Sequence, residues 1–351
     1  MEAWAWVFLA SGLFLGWSLG GNDGANIFGT AVGTRMVRFS TAALIAGVFV
    51  TLGAVLSGAG TSGTLGKLGA VESLLGAFLV ALAAAYAVYL MNRRGLPIST
   101  SQTIVGAIFG WNLFSGRPID LGAFGKFLGA WVLTPFLAAG IAVLLYLPVR
   151  ALLRRVRLHL LTLDLLTRYA LILAGAFGAY SLGANNIANV VGVFMPLAGT
   201  IFRPLSLPGG LVLAPERQLL LLGGLAIAAG IYSSYRVMMT VGRDLARLNP
   251  LAAWVVVVAQ SLVLLFFASE GFARFVASLG LPPPPLVPVS SSQAVVGAVV
   301  GLGLLIPGSR VEWRLFGRVA SGWVLAPATA ALLSLVALYV AQNVFNLPVR
   351  P

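Results

Sequence analysis

Apolar runs of about twenty residues recur along the chain, as in TAALIAGVFVTLGAVLSGAG from Thr41 and LLGAFLVALAAAYAVYL from Leu74. A helix of that length crosses a hydrocarbon core about 30 Å thick. The pattern predicts ten spanning segments, at 3–34, 40–60, 70–91, 97–115, 121–149, 168–202, 217–235, 250–269, 288–307 and 315–343. The first and sixth are too long for one plain helix, and each encloses a cluster of polar residues. The expected fold class is an all-α polytopic membrane protein with broken or re-entrant helices.

The polar positions are written twice. SLGGNDGANIFG from Ser18 returns as SLGANNIANVVG from Ser181, and PISTSQTIVGAIFG from Pro97 returns as PVSSSQAVVGAVVG from Pro288. GKFLGAWVLTP from Gly125 returns as GRVASGWVLAP from Gly317. The three blocks keep their order at offsets of 163, 191 and 192, the mark of an internal duplication. Five spans per half is an odd number, so the copies are two inverted-topology repeats. The first repeat is expected at 1–149 and the second at 168–351, joined by a basic linker at 150–167.

Composition sharpens this reading. The chain of 351 residues is 59% hydrophobic and 9% charged, against about 25% charged residues in soluble domains. The opening run is too long, and lacks the basic start, for a cleaved signal peptide. A net charge of +13 suggests nucleic acid only until the charges are placed. The arginines sit in short gaps between apolar runs, where they set orientation and meet anionic lipid. Alternating the gaps puts 15 basic residues, including Arg35, Arg38, Arg93, Arg94, Arg150, Arg154, Arg155, Arg157, Arg168, Arg243, Arg247 and Arg310, on one side. The other side has 7, among them Lys67, Arg117 and Arg350. The basic side, with the linker, is therefore expected to be cytoplasmic, in a cell inner or plasma membrane. Membrane lipid is an expected partner; nucleic acid is not.

Two kinds of polar cluster carry the chemistry. Asn22, Asp23 and Asn26 face Asn185, Asn186 and Asn189 in the second copy. Amide oxygens and a carboxylate are hard ligands for a small cation such as Na⁺, and an ionisable residue inside a span is a functional signal. Polar residues also join helices in bundles, but six at matched positions around an embedded acid exceed that need. Gly16, Gly20 and Gly24 form a small-residue ladder better suited to helix packing. The second cluster is Ser99, Thr100, Ser101 and Gln102, matched by Ser290, Ser291, Ser292 and Gln293. A proline followed by hydroxyl residues and an apolar run reads as a helix N-terminus. Its free N–H groups and hydroxyls offer donors to an oxyanion. N-capping accounts for one or two hydroxyls in each copy, not three in a row.

Other chemistries lack candidates. The absence of cysteine excludes disulfides and thiolate sites, and the one histidine, His159, lies in the basic joint. Glu270 stands at a span end. No phosphate-binding lysine loop, GxSxG elbow or HExxH motif is present, so no enzyme activity and no cofactor is expected. A channel would show continuous polar faces rather than discrete clusters.

GGNDGANIFGTAVGT and GANNIANVVG resemble the paired signatures of the inorganic phosphate transporter (PiT) family. PISTSQTIVGAIFG and PVSSSQAVVGAVVG are similar to that family's Pro-x-Ser-Thr-Thr-His segments. The resemblance covers nearly the whole chain. It implies a homodimeric secondary transporter that imports phosphate with Na⁺ or H⁺ by alternating access. It places Asn22, Asp23 and Asn186 near cation and anion, and Ser99, Thr100, Ser101, Ser290, Ser291 and Ser292 at the anion. Asn186 and both glutamines, Gln102 and Gln293, join the expected anion site. Asn26 and Asn189 join the cation set, with Na⁺ itself at Asp23, Asn22 and Asn185. The chain departs from the family where Asn186 replaces an aspartate and Gln102 and Gln293 replace histidines. Fewer titratable groups leave less capacity to compensate charge, and sulfate, carried by a permease branch of the family, is the alternative substrate.

Overall fold

The computed structural model describes residues 3–95, 98–156, 159–206, 212–239, 249–307 and 311–349. Pro97, Arg157, Arg243, Arg247, Arg310 and Arg350 lie outside the described residues. The first half forms α1 (Ala3–Gly33), α2 (Phe39–Ser57), α3 (Ala59–Gly69), α4 (Leu74–Arg93), α5 (Thr100–Ser115) and α6 (Leu121–Arg155). In the second half, α7 (Leu160–Val191) leads through a 3-10 turn at Gly192–Leu197 into α8 (Ala198–Ile201). A short antiparallel ladder pairs Leu205–Ser206 with Val212–Leu213. Then come α9 (Pro215–Ile231), α10 (Tyr235–Met239), α11 (Pro250–Phe266), α12 (Glu270–Ser278), α13 (Ser291–Leu305) and α14 (Trp313–Asn343).

Four expectations change. Among the described residues five helices are long and apolar enough to span a membrane, six if the bent α11–α12 pair is one span, rather than ten. The segments expected at 97–115 and 288–307 are not full crossings, because α5 and α13 begin at buried Thr100 and Ser291 inside the protein. The long first and sixth segments are not broken at their asparagines. Both α1 and α7 run straight through them, so the interruptions lie at the starts of α5 and α13 instead. An amide can bond sideways from an intact helix, and no backbone break is needed to expose it. Finally, the basic joint is mostly helix, since α6 reaches Arg155 and α7 starts at Leu160.

Packing partners exchange between the halves. Helix α2 packs along α7 while α9 packs along α1; α5 lies on α14 while α13 lies on α6. The result is a central group of α1, α2, α7 and α9, flanked by two clusters, α4–α5–α14 and α11–α13–α6. Each flanking cluster draws its long helix from the other half of the sequence. The crossings are close. A Cβ on Gly106 of α5 would stand 2.2 Å from the Pro327 carbonyl oxygen, and one on Gly297 of α13 would stand 2.2 Å from that of Pro135. Gly20 and Gly183 repeat the relation at 2.0 Å from the carbonyls of Ile227 and Val50. Small residues let membrane helices approach where lipid offers no hydrophobic drive between them. The Gly16–Gly20–Gly24 ladder is accordingly packed on α9.

Outward positions are apolar, as a bilayer requires: Leu128, Val132 and Phe136 on α6, Val324, Leu332 and Val336 on α14. Met36, Arg150, Asp164 and Asn249, from four different element ends, line a single groove. On the opposite side the Arg117 guanidinium makes a forked bond to Glu72 at 2.7 and 3.2 Å and donates to the Ala70 carbonyl. That guanidinium holds the Glu72 carboxyl below its usual range.

Two outcomes are expected. Gly106→Ala gains about 1 kcal/mol of helix propensity but meets a backbone carbonyl, where overpacking costs about 1–3 kcal/mol. It should lower the melting temperature of the purified protein, whereas Gly125→Ala, which meets nothing within 4 Å, should not. The reverse ranking would refute the close crossing. Glu72→Gln should melt slightly below the parent at neutral pH. A carboxyl with a lowered native pKa stabilises above its unfolded pKa and loses that effect as pH falls through the native one. The two melting curves should therefore converge on acidification, and a gap constant with pH would exclude the ion pair as its source.

Candidate functional site

The six asparagine-cluster residues sit side by side because α1 and α7 pack directly against each other. The starts of α5 and α13 reach the same place from opposite sides, bringing the hydroxyl residues with them. Of the fourteen predicted positions, all are buried except Gln102, which is partly exposed.

Asn22 and Asn185 hold the peptide that enters each helix start. The Ile98 N–H donates to Asn22 Oδ1 at 3.2 Å, and the Val289 N–H donates to Asn185 Oδ1 at 2.8 Å. Their amide nitrogens are also engaged, Asn22 with Asn92 Oδ1 at 2.6 Å and Asn185 with the Val287 carbonyl at 3.1 Å. A helix that starts inside an apolar interior leaves four backbone donors without helical partners. Ser99 and Ser290 cap one each, accepting from Gln102 N and Gln293 N at 3.2 Å. Capping thus accounts for one hydroxyl per copy.

The remaining side chains join the two halves. Thr100 Oγ1 donates to Asp23 Oδ2, and Asn186 Nδ2 donates to the same oxygen at 3.2 Å. Asp23 and Asn186 occupy equivalent positions of the two copies, so the pair meets across the centre of the repeat. Asn26 Nδ2 donates to Ser291 Oγ at 2.9 Å, and Asn189 Nδ2 donates to Ser101 Oγ at 2.9 Å, with a longer contact of 3.4 Å to Thr100 Oγ1, the counterpart of Ser291. Ser101 passes its own proton to the Val289 carbonyl at 2.9 Å. Ser290 and Ser292 share a hydrogen bond at 3.0 Å.

These bonds leave several buried oxygens over. Asp23 Oδ1, Asn26 Oδ1, Asn186 Oδ1 and Asn189 Oδ1 are buried without a hydrogen-bond partner, as are Gln102 Oε1 and Gln293 Oε1. A buried acceptor without a partner is destabilising by about 1–3 kcal/mol, more for a charged group. One carboxylate and three amide oxygens with free lone pairs suit a hard monovalent cation. No group of three or more His, Cys, Asp or Glu side chains suited to a metal ion occurs among the described residues.

Two residues escaped the sequence reading. Asn92, read as a span boundary in MNRR, bonds Asn22 and donates to the Ser18 carbonyl at 2.7 Å. Gln260 Nε2 donates to the Asn26 carbonyl at 2.6 Å from the middle of α11. The signal for Gln260 was present, as a lone amide in VVVVAQSLVLLF. Trp131, matched by Trp323 between the copies, donates to the Pro288 carbonyl at 3.3 Å and steadies the approach to α13. His159 is an exposed cap of α7, and Glu270 is exposed at the start of α12.

Known proteins match this arrangement over its whole length. A protein of Thermococcus kodakarensis, provisionally named a phosphate permease, is 25% identical, covering 95% of this chain and 97% of its own. Inorganic phosphate transporter 2-1 of Arabidopsis thaliana, a chloroplast protein, is 22% identical, covering 97% of this chain and 73% of its own. A solved structure described as the sodium-dependent phosphate transporter superposes with a TM-score of 0.77 at 23% identity, covering 97% of this chain and 99% of that one. It establishes the likeness of fold. The model of the phosphate transporter family matches residues 19–163 and 161–334, which leaves little of the duplicated core outside it. The chain is a multi-pass membrane protein that belongs to the phosphate transporter family.

Proposed function

We propose that the protein imports inorganic phosphate together with a cation, Na⁺ first and H⁺ second, through the site between α1, α7 and the starts of α5 and α13. The observation that carries this reading is the set of unpartnered oxygens around Asp23, enclosed between two hydroxyl-bearing helix N-termini. The oxygens suit a cation, and the hydroxyls with the N-terminal dipoles suit an anion. The two ligands would neutralise each other in a place where neither charge alone is tolerated.

In this reading the cation takes Asp23 Oδ1 with the amide oxygens of Asn26, Asn186 and Asn189. Asn22 and Asn185 act on the helix starts rather than on the ion, since backbone N–H groups already occupy their oxygens. Cation binding would free Thr100 from Asp23 and turn its hydroxyl toward the anion, with Ser291 and Ser292 opposite. The halves are inverted repeats, so the same contacts can close on one side while they open on the other. The basic joint faces the cytoplasm, and the protein works as a homodimer in a cell membrane.

The decisive experiment is uptake of labelled phosphate and labelled sulfate into proteoliposomes, under separate Na⁺ and pH gradients. Phosphate uptake driven by Na⁺, with sulfate neither carried nor competing, is the expected result. Sulfate uptake without phosphate competition, or a steady passive ion current, would overturn it. Asp23→Asn should reduce cation-driven uptake at least about tenfold, the factor for about 1.4 kcal/mol of lost ion binding, in a protein that still folds. Asn186→Asp places a second carboxylate beside Asp23. It should lower the melting temperature in Na⁺-free buffer and make that temperature rise more steeply with Na⁺ than in the parent. Identical Na⁺ dependence in the two proteins would remove both residues from the cation site.

A further inference from the structure

A second site lies away from the centre. A groove of about 550 Å³ opens between the end of α6, the start of α7 and the start of α11. Its walls are largely apolar, with Leu153, Leu166, Ala170 and Trp254 among them, and Arg150, Asp164, Thr167 and Asn249 are its polar residues. Arg150 stands there, stacked over the Tyr146 ring at 5.8 Å from the centroid. It has no acidic partner within 4 Å among the described residues; the one other charge in the groove, Asp164, is paired with Arg168 at 3.4 Å. The N-terminus of α11 lines the same groove. Asn249 caps that helix by accepting from Ala252 N at 2.8 Å, and Pro250 takes its first position.

The depth of the groove follows from α6. Between Lys126 and Arg150 that helix carries no charged residue. The 24 steps separating the two correspond to about 36 Å at 1.5 Å per residue, the hydrocarbon core plus a margin on each side. Arg150 is thereby placed at headgroup level, and the apolar wall formed by Leu166, Ala170 and Trp254 extends from it towards the acyl region. Tyr146 and Trp254 are the residue types that prefer that boundary.

We propose that this groove is a binding site for an anionic phospholipid. Arg150 and the α11 N-terminus receive the phosphodiester, and one acyl chain fills the apolar part. Three features favour this occupant: a guanidinium with no carboxylate within 4 Å among the described residues, a helix dipole of the same sign beside it, and membrane depth matched to a headgroup. The groove touches α7 and α11, which carry Asn185–Asn189 and Gln260, so a lipid seated there bears on two walls of the central site. The proposal does not depend on which anion the central site carries.

The test is native mass spectrometry of the full-length protein from mixed micelles of phosphatidylglycerol and phosphatidylcholine with identical chains. The parent should retain phosphatidylglycerol in preference by about fivefold, a factor in keeping with one basic contact at a headgroup. Arg150→Ala should abolish the preference and Arg150→Lys should keep most of it. Ala170→Trp, which fills the apolar part and leaves Arg150 in place, should lose both lipids. Inorganic phosphate at millimolar concentration should not displace the lipid. No headgroup preference in the parent, equal retention in all four proteins, or displacement by inorganic phosphate would each overturn the proposal. So would an Ala170→Trp protein that retains its lipid but passes from dimer to monomer, which would assign the groove to a second copy of the chain.

Discussion

A helix that begins inside an apolar interior has to find partners for the peptide that leads into it, and the fold is arranged around that constraint. No water or lipid there can bond the free N–H groups. Asn22 and Asn185 supply the partners, each accepting from the backbone just ahead of α5 or α13. This is why α1 and α7 are unbroken where their sequences turn polar. A straight helix holds its amides at fixed height and angle, and the helix starts are positioned against them. The far ends of α5 and α13 are fixed differently, by glycines that let each lie against the backbone of α14 or α6. One end is set by hydrogen bonds and the other by close packing, so the hydroxyl residues between have little freedom to drift.

The exchange of partners between the halves has its centre at Asp23 and Asn186. Equivalent positions of a duplicated chain meet each other at such a centre. The Asn186 amide donates to one Asp23 carboxylate oxygen, and the other oxygen is left without a hydrogen-bond partner. The copies differ at this position, where one carries a carboxylate and the other an amide. The neighbouring bonds are related without being identical, since Asn26 reaches Ser291, the counterpart of Thr100, whereas Asn189 is nearer Ser101, the counterpart of Ser292.

Much of this was legible in the sequence. The duplication and the grouping of asparagines with hydroxyl residues followed from ordered repeats of polar residues in apolar surroundings, where such residues are rarely accidental. Helix continuity was not legible, because glycine and asparagine lower helix propensity in water but are tolerated in a span held by its neighbours. Nor was the half-length nature of α5 and α13. A sixteen-residue apolar run has the same hydropathy whether it starts at a membrane surface or at Thr100 in the core. Asn92 escaped because it adjoins Arg93, where polarity is expected at a helix end.

The same geometry decides which parts can move. Within each half the asparagine clamps join side chain to backbone, Asn22 to Ile98 and Asn185 to Val289, and they fix each helix start to its own long helix. Between the halves the site side chains are joined by single bonds, such as those from Asn189 to Ser101 and from Asn186 to Asp23, while α1 on α9 and α2 on α7 cross backbone to backbone. Closely packed backbones resist sliding, whereas isolated side-chain bonds exchange for bonds to an ion or an anion with little strain. Yet α5 is packed on α14 and α13 on α6, while α4 and α11 also pack extensively on α1 and α7, so the packed bodies are not the halves of the sequence. A duplicated chain that exchanges its long helices in this way cannot rock as two independent halves.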